Sequence, residues 1–283
     1  MTTPLIAARD AFAAEHPEAP IELNGRAWGV IEAGTGPALL LIPGTLGRAD
    51  IFWQQIAALK DRLYIVAVSY PDSGGIEDWV RDLLELMDRR DAHRFAVLGS
   101  SLGGYLAQAI AAEAPERVRH LFAANTLASV EGLNTRPPYS SDLDETPIAT
   151  LREGFLGGLR AWAEAHPDQI DLVTLLSQEV EGRIPEAELR CRLKALKHAP
   201  ELPRSTLASS HVSVIEADDD PLIPPPMRDA VCARLEPATL FRFLWGGHFP
   251  YVVRPAAYTG LIEQALGLEL TGEDWGAGAL REA

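Results

Sequence analysis

Residues 94–110 set the tightest constraint on the fold. Arg94-Phe95-Ala96-Val97-Leu98 reads as a short buried strand, and Leu102, Tyr105, Leu106, Ala109 and Ile110 recur at helical spacing. Between them stands Gly99-Ser100-Ser101-Leu102-Gly103. A strand that turns sharply into a helix through Gly-x-Ser-x-Gly strains the backbone of its central residue and lifts the hydroxyl clear of the sheet. Small residues are needed two positions to either side, because a side chain there would strike the neighbouring strand or helix. The first N–H groups of the new helix are left unpaired beside the hydroxyl. Alone, the pentapeptide fits a Gly-rich turn without chemistry as well as it fits a nucleophile. Its flanks, and the partners found further along the chain, favour the nucleophile at Ser101.

The same alternation runs through the rest of the chain. Residues 22–33 suggest two short strands around a turn at Asn24-Gly25. Ala38 to Ile42, Leu63 to Val68 and Val118 to Ala123 are apolar runs without alternation, as expected of strands covered on both faces. Ile51 to Lys60 reads as a helix, and Ile76, Trp79, Val80, Leu83, Leu84 and Met87 follow helical spacing over three turns. Buried strands alternating with amphipathic helices specify a mostly parallel sheet with helices on both faces.

After Thr126 the pattern changes. To about Pro203 no buried strand is visible. A Pro-containing loop (Pro137 to Pro147) leads into helical stretches marked by Leu151, Phe155, Leu159 and Trp162, then Ile170 to Val180, then Leu189, Leu193 and Leu196. Arg190, Arg192, Lys194 and Lys197 are expected on the solvated face of the last of these. The sheet pattern resumes at His211 to Ile215, followed by a helix from about Met227, a strand at Thr239 to Leu244 and a closing helix. The expected organisation is a first core part (1–126), an inserted helical lid (127–203), a second core part (204–268) and a polar, Gly-rich tail (269–283) with little fixed structure.

Bulk properties narrow the functional classes. A net charge of −15 over 283 residues argues against nucleic-acid partners and anionic membrane surfaces. No stretch approaches the ~20 apolar residues of a membrane helix. The N-terminus lacks a basic segment followed by an apolar one, so a cytoplasmic protein is expected. Cys191 and Cys232 fit reduced thiols. The histidines and cysteines show no ligand spacing, and no Gly-rich phosphate loop is present, so neither metal nor cofactor is expected.

A serine nucleophile needs a base and an acid to orient it, and such groups gather at the carboxyl ends of parallel strands. After the 211–215 strand comes Glu216-Ala217-Asp218-Asp219-Asp220-Pro221. Asp220 is the expected acid, with Asp219 as the alternative. After the next strand, Trp245-Gly246-Gly247-His248-Phe249-Pro250 places His248 in a Gly-flanked loop, completing the chain order Ser, Asp, His. The other six histidines have no comparable setting. Donors for a developing oxyanion are expected from the backbone N–H of Leu102 and, in the loop Pro43-Gly44-Thr45-Leu46-Gly47, from that of Thr45.

On these residues the chain resembles the α/β-hydrolase superfamily over nearly its whole length. The Ile42-Pro43-Gly44 turn, Tyr70-Pro71, Gly99 to Gln108 and Gly246-Gly247-His248-Phe249-Pro250-Tyr251 are most similar to the maspardin-like branch. Pro43-Gly44 stands where most superfamily members have His-Gly, the segment after Tyr70 is short, and Ala217 stands where Gly is common. The resemblance implies a serine hydrolase acting on a small carboxylic ester or similar acyl compound, with a lid pocket walled by Phe155, Leu159 and Trp162. Two other readings stay open. One is C–C bond hydrolysis or cofactor-free haloperoxidase chemistry on the same triad. The other is a non-catalytic maspardin-like binding protein. A small-molecule acyl substrate is the expected partner, and oligomeric state is left open, a homodimer included.

Overall fold

The apolar runs pair into one nine-stranded sheet in the computed structural model, which describes residues 3–283. The strands are β1 (Ala19–Leu23), β2 (Arg26–Ala33), β3 (Ala38–Ile42), β4 (Tyr64–Ser69), β5 (Phe95–Ser100), β6 (Val118–Ala124), β7 (Val212–Ala217), β8 (Thr239–Phe243) and β9 (Leu280–Glu282). Their spatial order is β1-β2-β4-β3-β5-β6-β7-β8-β9. The β1–β2 hairpin is antiparallel and β2 pairs antiparallel with β4, whereas every other pair is parallel.

Ten helices connect and cover the sheet among the described residues: α1 (Pro4–Glu15), α2 (Trp53–Leu59), α3 (Ile76–Asp88), α4 (Leu102–Glu113), α5 (Ile148–Ala165), α6 (Ile170–Gln178), α7 (Glu186–Lys197), α8 (Pro225–Leu235), α9 (Pro250–Val253) and α10 (Pro255–Leu266). Alternate strand residues feed opposite faces. Leu40 and Ile42 join Val66, Val97 and Leu121 in a core with Trp79, Leu83 and Leu106 of α3 and α4. Leu39 and Leu41 join Ile65, Leu98 and Phe122 in a second core with Ile56, Leu261 and Ile262 of α2 and α10. This explains why the central runs show no polar alternation: both faces are dry.

Strand β3 lies between β4 and β5, so the connections on its two sides run in opposite directions across the sheet. The crevice at the carboxyl ends of β3 and β5 is therefore the switch point where open α/β sheets place their ligands.

Two expectations need correction. The tail is folded. Trp275 is buried, its Nε1 donates to Ala257 O at 2.8 Å, and β9 adds a parallel edge strand. Three residues are too short to show strand periodicity, and a lone Trp gives no pattern. Arg192 is also not solvated. Its side chain is completely buried, because α7 is covered on two sides: Leu189, Leu193 and Leu196 form one stripe, and Cys191, Arg192 and Ala195 are buried beside it. An apolar stripe reports one contact face, and a second face lined by a paired cation is silent.

Candidate active site

Ser101 lies between β5 and α4 with φ 55° and ψ −117°, outside the regions ordinary residues occupy. Its N–H donates to Ala124 O at 2.9 Å and its carbonyl accepts from Thr126 Oγ1 at 2.7 Å. The strained residue is thus held on both sides by the end of β6 and the residues just after it. Close packing explains the flanking glycines. A Cβ on Gly103 would sit 2.2 Å from Ile42 O, and one on Gly99 would sit 1.9 Å from Gly103 O.

Asp220 and His248 meet. His248 Nδ1 lies 2.8 Å from Asp220 Oδ2 and 3.0 Å from Oδ1, with both side chains buried. The other acceptor sites of the carboxylate are filled by Leu222 N at 2.8 Å, Ile223 N at 3.1 Å and Asn125 Nδ2 at 2.9 Å. Burial pushes the Asp220 carboxyl up, but His248 and these donors outweigh it, leaving the group below the usual carboxylate range. An ionised carboxylate only accepts hydrogen bonds, so the proton of neutral His248 sits on Nδ1 and Nε2 carries the free lone pair. Asp219 faces away from the imidazole. It accepts from Gly246 N at 3.1 Å and Gly247 N at 2.8 Å, bracing the histidine loop. No hydrogen bond joins Ser101 to His248 among the described residues.

The loop after β3 packs on the elbow. A Cβ on Gly44 would lie 3.1 Å from Ser101 Cβ and 3.8 Å from its Oγ. Within the loop Gly47 N donates to Gly44 O at 3.0 Å. The N–H groups of Thr45 and Leu102 meet no acceptor among the described residues.

Of the three expected lid residues, Trp162 is in direct contact with the histidine loop. Gly247 has φ 59°, and a Cβ there would fall 2.8 Å from the Trp162 ring. The indole is fixed by stacking on His166 at 3.7 Å and by Nε1 donating to Gln169 Oε1 at 3.0 Å. Phe155 and Leu159 are half-buried against a small apolar cluster of Leu46, Leu151, Val180, Ile184, Leu189 and Leu193. That cluster ties the loop after β3 to the 127–203 segment.

Sequence reasoning missed four positions that shape this site. Asn125 (φ 43°) bonds Asp220 and also reaches Gly247 O at 3.4 Å. Thr126 holds Ser101. Tyr70 Oη donates to Pro43 O at 2.7 Å, and Arg192 Nη1 donates to Thr45 O at 3.0 Å and Gly47 O at 2.8 Å. Asn125 and Thr126 follow an apolar run directly, and that placement is the signal that could have found them. Nothing in the periodicity points to Arg192.

A cavity of about 10 Å³ lies behind Asp220, lined by Asn125, Ile223 and Val231 among others. No group of three or more His, Cys, Asp or Glu is placed to hold a metal ion, and no helix is long and apolar enough to cross a membrane, among the described residues.

Residues 39–260 match the alpha/beta hydrolase family. The chain is similar to a pimeloyl-[acyl-carrier protein] methyl ester esterase of Nitrosomonas europaea, 24% identical over 81% of this chain and 96% of that one. It is also similar to maspardin of Homo sapiens, 23% identical over 82% of this chain and 77% of that one. Among solved structures, the enol-lactonase of Burkholderia xenovorans LB400 superposes with a TM-score of 0.72 at 18% identity, covering 88% of this chain and 100% of that one. At that identity the likeness speaks for the fold.

Proposed function

The chain is a hydrolase that belongs to the alpha/beta hydrolase family, and we propose that it cleaves small carboxylic esters or similar acyl compounds through Ser101, His248 and Asp220. The observation that carries this reading is the buried His248–Asp220 contact at Nδ1, which in the neutral imidazole leaves Nε2 as the free acceptor, in a loop linked through Asn125 to the strand that holds Ser101. A histidine held in that tautomer is a general base.

In the proposed reaction Ser101 Oγ attacks the acyl carbon while His248 Nε2 takes its proton. Negative charge collects on the former carbonyl oxygen and is met by the N–H groups of Leu102 and Thr45. The intermediate collapses as His248 returns the proton to the departing alkoxide. Water then attacks the acyl-serine, His248 accepting its proton and giving it back to Ser101 as the acid leaves. Asp220 stays ionised throughout and stabilises the imidazolium. The Ser101–His248 hydrogen bond is expected to form with substrate bound, since such bonds often tighten only in the Michaelis complex.

The 127–203 segment is proposed to act as a cap over this site, with Trp162, Phe155 and Leu159 forming its apolar wall. The contacts of Trp162 with Gly247 and of Leu46 with α5 and α7 residues support it. A relative named as a methyl ester esterase favours acyl esters as the class to test first.

The test is a screen of p-nitrophenyl and methyl esters of increasing acyl length, beside a β-diketone, with Ser101→Ala, His248→Ala and Asp220→Asn. The reading predicts ester turnover that Ser101→Ala and His248→Ala reduce by about 10⁴-fold or more. Faster cleavage of the diketone would replace ester hydrolysis with C–C hydrolysis. Turnover that survives both alanine variants would overturn the triad.

A further inference from the structure

Arg192 is a fully buried cation that the mechanism above leaves unused. It belongs to α7 in the 127–203 segment, yet its guanidinium reaches into the loop after β3. Nη1 bonds Thr45 O and Gly47 O, and Nη2 bonds Glu188 Oε2 at 2.9 Å. The guanidinium lies 5.1 Å over the Tyr70 ring, and Tyr70 Oη holds Pro43 O. Gly44 O is taken by Gly47 N. The carbonyls of Pro43, Gly44, Thr45 and Gly47 are therefore all pinned, while the Thr45 N–H has no acceptor among the described residues. Because a peptide unit is planar and trans, fixing Gly44 O fixes the direction of the Thr45 N–H on the opposite side. Anchoring Thr45 O and Gly47 O stops the flanking peptides from rotating.

Burying a guanidinium is costly, and an apolar side chain would fill the space with less penalty. A loop containing two glycines has many conformations open to it, and an oxyanion donor works only if it is oriented before the charge develops. We propose that Arg192 is a positioning residue. Through it, the seating of α7 on the core becomes a condition for a formed oxyanion hole. Arg48, just past the loop, bonds the same Glu188 at 3.1 Å and Arg183 O at 3.2 Å, so the latch closes from both sides. The proposal rests on the hydrolase reading given above.

The test compares Arg192→Met, Arg192→Lys and Glu188→Gln with wild type on the best ester of the screen, together with inhibition by phenylboronic acid, which forms a tetrahedral serine adduct. Met87→Ala, a substitution in the buried face of α3, serves as a control for lost stability. Arg192→Met is expected to lose about 100-fold in kcat with KM within about threefold, the effect of a donor displaced by roughly 1 Å. Boronic acid affinity should fall by a similar factor, and the pH profile should keep its shape. Arg192→Lys should recover part of the loss, and Glu188→Gln should fall between it and wild type. Met87→Ala should lower Tm without either kinetic change. Where Arg192→Met does not fold, Arg192→Lys decides by the same ratio of kcat to KM effects. Wild-type kcat in the folded Arg192 variants, or losses no larger than those of Met87→Ala, would overturn the proposal. An inactive wild type would instead overturn the hydrolase reading itself.

Discussion

Replacing Gly44 by Ala probes the contact between the loop after β3 and the proposed nucleophile, Ser101, with a single methyl group. The added Cβ would sit 3.1 Å from Ser101 Cβ and 3.3 Å from Ser100 O. Carbon atoms attract best at about 3.5–4.0 Å, so the loop must retreat by roughly half an ångström. Overpacking of this kind costs about 1–3 kcal/mol. Stiffening of the unfolded chain by Gly→Ala returns about 0.4–1 kcal/mol. A net loss of about 1–2 kcal/mol lowers Tm by roughly 2–4 °C in a chain of this size. The same methyl would lie 3.8 Å from Ser101 Oγ, in contact with the atom proposed to attack the substrate. Displacing the Thr45 N–H and crowding Oγ together should reduce kcat by about 100-fold, or ~2.7 kcal/mol of transition-state stabilisation. Initial rates on a p-nitrophenyl ester, with Tm by differential scanning fluorimetry, separate the two effects. A folded variant with kcat/KM within about threefold of wild type would refute the placement of this loop beside the reacting oxygen.

Asn125→Ala removes a hydrogen bond to the ionised Asp220 and should lower kcat about 20-fold, or ~1.8 kcal/mol, within the ~1.5–3 kcal/mol such bonds carry; Asn125→Asp should be worse, because a second carboxylate would face the first. Steady-state kinetics on both variants check the order. Trp162→Ala opens the wall beside Gly247 and should raise KM about tenfold for the longer acyl chains while leaving kcat within about threefold, as initial rates across the ester series will show. His120 tests the fold through pH. Burial, aided by His211, holds its imidazole down at about 4 against 6.5, and its Nε2 lies 2.9 Å from Ser213 Oγ. A depressed value means the unfolded chain takes up the proton first. The stabilisation is complete above about 6.5 and is withdrawn as pH falls towards about 4, a change of ~3 kcal/mol. Wild-type Tm should therefore drop between pH 7 and pH 4.5 by about 4 °C more than that of His120→Gln, measured by calorimetry.

Much of this molecule is legible in its sequence because the signals are local. The β3, β4, β5 and β6 runs are continuous and apolar, so strand, burial and parallel pairing follow from one pattern. Ser101, Asp220 and His248 each stand just after a strand, β5, β7 and β8, which is where the rule that site groups gather at strand carboxyl ends directs the search. What escapes has a common cause: its partners are distant in sequence. Arg192 reads as one more cation on a basic helix, and only the carbonyls of Thr45 and Gly47, far earlier in the chain, give it a buried place. Trp275 and β9 acquire structure from α10 and β8, and so short a strand has no period to detect. Asp219 and Asp220 look alike in sequence. Which one faces the imidazole is decided by the geometry of the turn after β7.

The central claim is that Ser101 is an activated nucleophile, and reaction with a fluorophosphonate followed by mass-spectrometric location of the adduct tests it most directly. The account predicts stoichiometric modification of Ser101, lost in Ser101→Ala and slowed by orders of magnitude in His248→Ala. Folded wild-type protein that stays unmodified, or carries the adduct on another residue, would contradict it.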